Sequence, residues 1–376
     1  MIIADVRVRI LGAAVEDDIA MSFATLGRRS MALVEVETED GLVGRGESWV
    51  NFPPWAVRER RATIEEGVAP LLVGEDARDV GALHARMVRA LVPLGRQWGA
   101  PGPIMQAISG ADLALWDLAG RAAGVPVAEL LGGRVRDRVP VYASGVGPTG
   151  VAELVAGCVR HGFRAVKVRL GFGPDVDVAN LRAAREAGPD VELLVDANQA
   201  WTLEEAVAIA PVLRECAVAW VEEPVRGDDP DELAALHRRT GLTVATGENL
   251  YGREAFEPYL ARQEIGVLQP DVSKGGGLTE ALAVCRRAEA CGRVVAPHLY
   301  GGAFAYAATL QLAAAAPTVR TVEYDVRENP LRDGLLVDPP PVIDGHVAIP
   351  ATAGLGATID AGALAGLSQP LSPLRP

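Results

Sequence analysis

The chain has 376 residues, 49% of them hydrophobic and 23% charged, with a formal charge of -13. That length suits one barrel-sized domain with an appendage or two ordinary domains, and the composition excludes disorder. The acidic balance argues against nucleic acid or an anionic membrane as a partner, since both need a basic surface, but leaves room for a small anionic substrate in a locally cationic site.

The N-terminal stretch "MIIADVRVRILGAAVEDD" carries arginines and acids within its apolar run, so it does not read as a secretory signal. Residues 2–10 alternate as a strand, and "SMALVEVETEDGLVGRGES" reads as a hairpin turning at Asp40-Gly41, the pairing of a tight type I′ turn. "IMQAISGADLALWDLAGRAAG" puts Ile104, Ile108, Ala111, Leu115 and Leu118 on one helical stripe, with Gly124 as its stop. These elements predict an α+β unit over residues 1–130.

From about Val139 the rhythm changes. Short apolar runs, "VPVYAS", "AVKVRL", "ELLVDAN", "VAWVEEP", "VATGEN", "VLQPD", "RVVAPH" and "TVEYD", alternate with amphipathic helices of 10 to 15 residues. Eight strands with helical crossovers predict a parallel barrel of the TIM type over residues 131–338. The Pro- and Gly-rich segment 339–376 is expected to fold back on the first unit. "GGAFAYAATLQLAAAAP" is too short and too weakly apolar for a membrane span, and a cytoplasmic protein is expected. Cys158, Cys216, Cys285 and Cys291 form no CxxC pair and read as reduced thiols.

The strand ends carry the chemistry. Asp196 closes the third barrel strand, Glu222 the fourth and Glu248 the fifth, so the acids follow one another at 222 − 196 = 26 and 248 − 222 = 26 residues, one βα unit each time. In a parallel barrel all such ends open on one face, where active sites are built. Three converging carboxylates raise each other's pKa unless a positive partner is present, and a hard divalent cation such as Mg²⁺ meets that need with oxygen ligands. Glu223 rivals Glu222, but neighbours on a strand face opposite sides and the equal spacing favours Glu222. Asp271 ends the sixth strand, His298 the seventh and Glu323 the eighth, while Lys167 and Arg169 lie on the second. Asp271 can hold one ring nitrogen of His298 and leave the other to a substrate.

The stretches "DANQAW", "WVEEP", "GEN", "QPDVSKGGG" and "APH", preceded by "ADLALWDLAGRAAGVPVAELLGG" and followed by "IDGHVAIPATAGLGATID", resemble the enolase superfamily, specifically its mandelate racemase subgroup, over nearly the whole chain. The resemblance implies a (β/α)7β TIM-like barrel under an N-terminal α+β capping domain completed by the C-terminal segment. It implies that Asp196, Glu222 and Glu248 bind one Mg²⁺, with Mn²⁺ as a substitute, that Asp271 and His298 are the acid/base dyad, and that Glu323 hydrogen-bonds the carboxylate as it becomes an enolate. Enolase-superfamily sites pair a Lys or His base with Mg²⁺ in this way.

One position departs from the subgroup. Its second strand reads Lys-x-Lys, the second lysine being a base across the substrate from the histidine, whereas this chain reads "KVR". Arg169 is a poor base and a good bidentate ligand, which disfavours two-base racemisation unless Lys167 takes the role. The expected activity is therefore dehydration of a sugar acid, an aldonate or aldarate, to a 2-keto-3-deoxy acid. The rivals are a racemase or epimerase, a cycloisomerase of a sugar lactone or anhydro-sugar acid, and a non-catalytic barrel that binds a metal and an anion. A mere binder has no need of the dyad. Lys274 in "SKGGG" resembles the lysine base of the related muconate-lactonising subgroup, but it falls three residues beyond Asp271, outside the strand tip, and is read as structural. Substrate contacts are expected from Asn198 and Arg169, and from the capping loops "MSFATLGRRS" and "ESWVNFPPWAVR" with Arg28, Arg29, Trp49, Asn51 and Trp55. The partners expected are a small carboxylate and further copies of the chain in a homo-oligomer.

Overall fold

The computed structural model describes residues 1–370. The chain opens with three antiparallel strands in the order β1 (Ile3–Ala20), β2 (Thr25–Thr38) and β3 (Val43–Trp49). β1 runs far past residue 10. It stays paired with β2 as far as Ala20↔Thr25, with an irregularity between Ala14 and Ile19, so what reads as a loop over 21–30 is only a hairpin tip. The β2–β3 turn also differs from the type I′ expectation. Gly41 has φ +84° but Asp40 does not enter the left-handed region, and Gly41 N–H donates to Thr38 O across a wider loop closed by Thr38 N–H to Leu42 O.

Two long helices cover this sheet, α1 (Val80–Trp98) and α2 (Pro101–Ala123). The Asp79 side chain caps α1 at Ala82 N–H, and Gly124 at φ +69° stops α2 as its sequence suggests. The helix lies directly on β3 because Gly44 and Gly46 have no side chain. A Cβ would come within 2.2 Å of Ala114 O at the first and 2.3 Å of Gly110 O at the second. The far side of α2 meets the barrel, where Asp112 accepts from Thr279 N–H and Oγ1 and Ser109 Oγ accepts from Gly276 N–H. Contact on both faces explains why almost the whole helix is buried.

The second unit is a closed parallel barrel. Its strands are β4 (Arg138–Val146), β5 (Ala165–Arg169), β6 (Glu192–Asp196), β7 (Val218–Glu222), β8 (Val244–Thr246), β9 (Ile265–Leu268), β10 (Val294–Val295) and β11 (Val322–Asp325). They pair in sequence order, β11 returns to β4, and a bridge between Val295 and Val319 completes the circle. Six regular helices fill the crossovers: α3 (Val151–Arg160), α4 (Pro174–Ala187), α5 (Leu203–Glu215), α6 (Pro230–Thr240), α7 (Gly277–Ala290) and α8 (Ala303–Ala315). Between β8 and β9 the crossover is two short helical turns. Tyr142, Leu194, Trp220, Ala245 and Val267, from five of the strands, form a separate apolar layer with Ala296 just after β10, so the barrel is a packed core and not a pore.

After β11 the chain adds a hairpin, β12 (Val342–Ile343) and β13 (His346–Ala348), whose second strand pairs antiparallel with β4. The segment between β11 and this hairpin already touches the first unit, where Arg29 donates to Glu328 O, and beyond the hairpin Gly354 bridges Pro126 and Gln369 N–H donates to Ile10 O. The four cysteines are free thiols, three of them buried. Among the described residues no helix is long and apolar enough to cross a membrane.

Candidate active site

Parallel register aligns the charged strand ends. Arg169 on β5 is level with Asp196 on β6, which is level with Glu222 on β7. Glu248 and Asp271 follow β8 and β9 by two and three residues, His298 follows β10 by three, and Glu323 lies within β11. With the capping unit they border a cavity of about 450 Å³, in the range of small-molecule sites. Lys167, Arg169, Asp196, Asn198, Glu248, His298, Glu323 and Trp49 line it, while Glu222 and Asp271 sit just behind, fully buried.

Lys167 is the central cation. Its Nζ is 2.7 Å from Glu222 Oε2, 3.0 Å from Glu323 Oε1 and 3.8 Å from Asp196 Oδ2. Burial alone would lower its pKa, but Glu222 and Glu323 hold it well above the usual lysine value. Gln269 Nε2 donates to the same Glu222 oxygen at 2.7 Å. Glu222 is nevertheless under-compensated, because burial and then Asp196 and Glu323 outweigh Lys167 and push its carboxyl up to about 8.

His298 Nδ1 is 2.7 Å from Asp271 Oδ2, and Asp271 Oδ1 accepts from Ser273 N–H at 2.6 Å and Ser273 Oγ at 2.7 Å. That network fixes the ring and its tautomer. The other ring nitrogen, Nε2, is 2.8 Å from Glu248 Oε2. Burial would depress the imidazole pKa, but Glu248 and the Asp271 bond raise it well above the ordinary value. Glu323 Oε2 accepts from Leu299 N–H at 3.0 Å, one residue beyond the histidine. Asn198, at φ 45°, donates from its backbone and side chain to the two Asp196 oxygens at 2.8 and 3.0 Å.

Among the described residues no three acids or imidazoles already stand as a metal cage, since protein cations engage them instead. The donor set still fits a hard divalent ion. Glu222 Oε1 is buried without a hydrogen-bond partner, as is Asn198 Oδ1, and burial raises the carboxyls of both Asp196 and Glu222, so two of the three oxygen ligands are short of positive charge.

Several expected contacts fall elsewhere. Asn51 does not line the cavity, because its Nδ2 donates to Tyr300 O at 2.9 Å and its Oδ1 accepts from Ser30 N–H. Arg29 is buried in an ion pair with Asp325 and donates to Glu328 O. Arg28 and Trp55 lie off the cavity, and Trp55 is exposed. Conversely, Lys274 lies in the wall, its Nζ 3.3 Å from Glu248 Oε1, 2.9 Å from Asn249 Oδ1 and 4.9 Å from the Trp49 ring centroid. Sequence reasoning also passed over Gln269, whose signal was its place two residues before Asp271 in "QPD". It passed over Met21, Phe23, Phe52 and Tyr300 too, all in the cavity wall.

Both units match family models: residues 4–132 the mandelate racemase/muconate lactonizing enzyme N-terminal domain, and residues 150–363 the enolase C-terminal domain-like model. The chain belongs to the enolase superfamily. Within this superfamily of divalent-metal enzymes it resembles the D-galactarolactone cycloisomerase of Agrobacterium fabrum, at 32% identity over 98% of this chain and all of the relative. The arabinonate dehydratase of Saccharolobus solfataricus is 33% identical over 90% of this chain and 91% of its own. Among solved structures, a mandelate racemase/muconate lactonizing enzyme from Bordetella bronchiseptica RB50 superposes with a TM-score of 0.89 at 36% identity, covering 98% and 99% of the two chains. A racemase from Streptomyces coelicolor A3(2) with bound magnesium gives 0.88 at 27% identity, covering 98% and 100%. The matches place the chain in the mandelate racemase/muconate lactonizing enzyme subgroup of that superfamily.

Proposed function

We propose that the chain is a Mg²⁺-dependent dehydratase of a sugar acid, forming a 2-keto-3-deoxy acid by removal of the proton α to a carboxylate and loss of the β-hydroxyl. The observation that carries this reading is the asymmetry of the bases. The cavity holds one imidazole, backed by Asp271, and the second-strand position where the subgroup has its other base is Arg169, buried and donating to Ala20 O at 3.1 Å. One-base elimination suits that set and two-base inversion does not.

Asp196, Glu222 and Glu248 would hold the metal, which when bound supplies the Lewis-acid charge that makes the α-proton removable. Lys167 sits beside these acids as a fixed positive charge and can stabilise the second negative charge that grows on the substrate carboxylate. His298 takes the α-proton on Nε2, and Asp271 stabilises the imidazolium so formed. The same imidazolium then returns a proton to the departing hydroxyl, which leaves as water with the C–O electron pair. The enol tautomerises to the keto acid. Despite its burial, Glu323 is held below the ordinary carboxyl range by Lys167 and His298; it pairs with Lys167 and orients that lysine toward the substrate carboxylate.

Following the reaction in D₂O by proton NMR across a panel of sugar acids tests this. Wild type should yield a keto acid, and His298→Asn should lose both turnover and α-proton exchange, by ~10⁴-fold or more because the base and acid steps vanish together. Inversion at the α-carbon with deuterium uptake and no keto acid would establish a racemase. A second reading, cycloisomerisation of a sugar lactone, is favoured by the full-length similarity to the Agrobacterium fabrum enzyme and shows in the same spectra as an isomer without water loss.

A further inference from the structure

We infer that the cavity selects sugar acids with a single carboxylate, whose uncharged distal end lays a C–H face on an aromatic wall. This rests on reading the cavity as a sugar-acid site, and it divides the aldonate and aldarate classes that the chemistry alone leaves together.

The two halves of the cavity differ by origin. Every lining residue from the barrel except the aromatic Tyr300 is charged or carries an amide, whereas the capping unit contributes only Met21, Phe23, Trp49 and Phe52. The three rings form one surface: Phe23 and Phe52 meet edge-on at 5.6 Å between centroids, and Trp49 and Phe52 lie 6.0 Å apart. Met21 joins Ile19, Leu26 and Tyr300 in a buried cluster against which Phe52 packs.

Charge is distributed in the same way. The cationic side chains lining the cavity are Lys167, Arg169 and Lys274, with His298, and all four come from the barrel. Each is already engaged: Lys167 by Glu222 and Glu323, Lys274 by Glu248, Arg169 by Ala20 O and His298 by Asp271. One carboxylate placed at the barrel end meets that polar base. The Trp49 ring already has the Lys274 ammonium 4.9 Å from its centroid, so a second carboxylate, at the far end of a linear diacid, meets Phe23 and Phe52, whose ring faces carry the negative side of the aromatic quadrupole and offer it no partner. The C–H face of a cyclic sugar acid, or of an acid ending in a methyl group, presents the opposite polarity to the same rings. A site that leaves a buried charge unpaired rejects that ligand more strongly than a missing apolar contact would.

The test is titration calorimetry on the full-length His298→Asn chain with Mg²⁺ present, so that binding is read without turnover. The probes are matched sets of one configuration: an aldonate, its terminally deoxygenated counterpart and the corresponding aldarate. The diacid should bind at least about 30-fold more weakly than either monoacid, the scale of an unpaired buried charge. Phe23 is 63% exposed, so Phe23→Arg should fold normally, and this second substitution should narrow the gap by about tenfold. Equal or tighter diacid binding, no monoacid binding in the millimolar range, or a gap unmoved by both Phe23→Arg and Phe52→Arg would each overturn the inference. Failure of the dehydratase reading looks different, as a wild-type chain that binds the monoacids and forms no keto acid from them.

Discussion

At position 169 an arginine stands where a second base would serve racemisation, and its surroundings show what it does instead. Burial opposes its charge, but the neighbouring Tyr300, Asp325 and Asp196 keep it fully protonated, and its guanidinium lies 5.2 Å from the Tyr300 ring centroid while donating to the capping hairpin. Arg169→Lys should lower dehydration because it removes that fork, and should open slow α-proton exchange from the new face; NMR in D₂O reads both. Glu222 gives a second expectation. Glu222→Gln should abolish Mg²⁺ binding in calorimetry, yet the metal-free variant should melt no lower than wild type, since the buried carboxylate sits among Asp196, Glu323 and Glu248. The strand-end acids were legible in the sequence because a 26-residue period needs no knowledge of side-chain contacts. Arg29 and Asn51 were not, because their partners Asp325 and Tyr300 lie 296 and 249 positions away, and a polar residue on a capping loop reads the same whether it faces substrate or backbone.

At the scale of elements, the end of β3 and the loop after it hold the two barrel loops that carry the dyad. Trp49 N–H donates to Ser273 O, Asn51 donates to Tyr300 O, and Glu47 accepts from Gly302 N–H at 2.6 Å and Ala305 N–H at 2.9 Å at the start of α8. Glu47 is buried without a cation, and burial pushes its carboxyl up to about 7 against an ordinary 4.5, despite those donors. Its folded-state pKa is raised, so its contribution to stability is fully present below about 4.5 and is lost as pH climbs through 7. Glu47→Gln mimics the protonated acid. It should match wild type at pH 4.5 to 5 and become the more stable protein at pH 8, by up to about 3 kcal/mol, in thermal melts at the two pH values. The strand–helix rhythm announced β4 to β11, whereas the outer half of β1 was hidden because "GAAVEDDIA" lacks a clean alternation and its strand character comes from pairing with β2.

The whole molecule is tied together by groups that neither unit satisfies alone. Glu47, Asn51, Asp112 and Arg29 are buried polar side chains of the capping unit whose partners belong to the barrel or its connecting loops. Separating the units would strand several of them, each costing about 1–3 kcal/mol, so scanning calorimetry should show one cooperative transition, with two resolved peaks as the contrary outcome. The aromatic wall has a consequence on a different timescale. Its three rings, and Met21 beside them, fall within residues 21–52, whereas the acids, the dyad and both second-strand cations fall after residue 166. Selection on what the enzyme accepts and selection on the chemistry it performs therefore act on separate stretches of the gene. A duplicated copy could drift toward a new sugar through a handful of early codons while purifying selection kept the later ones unchanged.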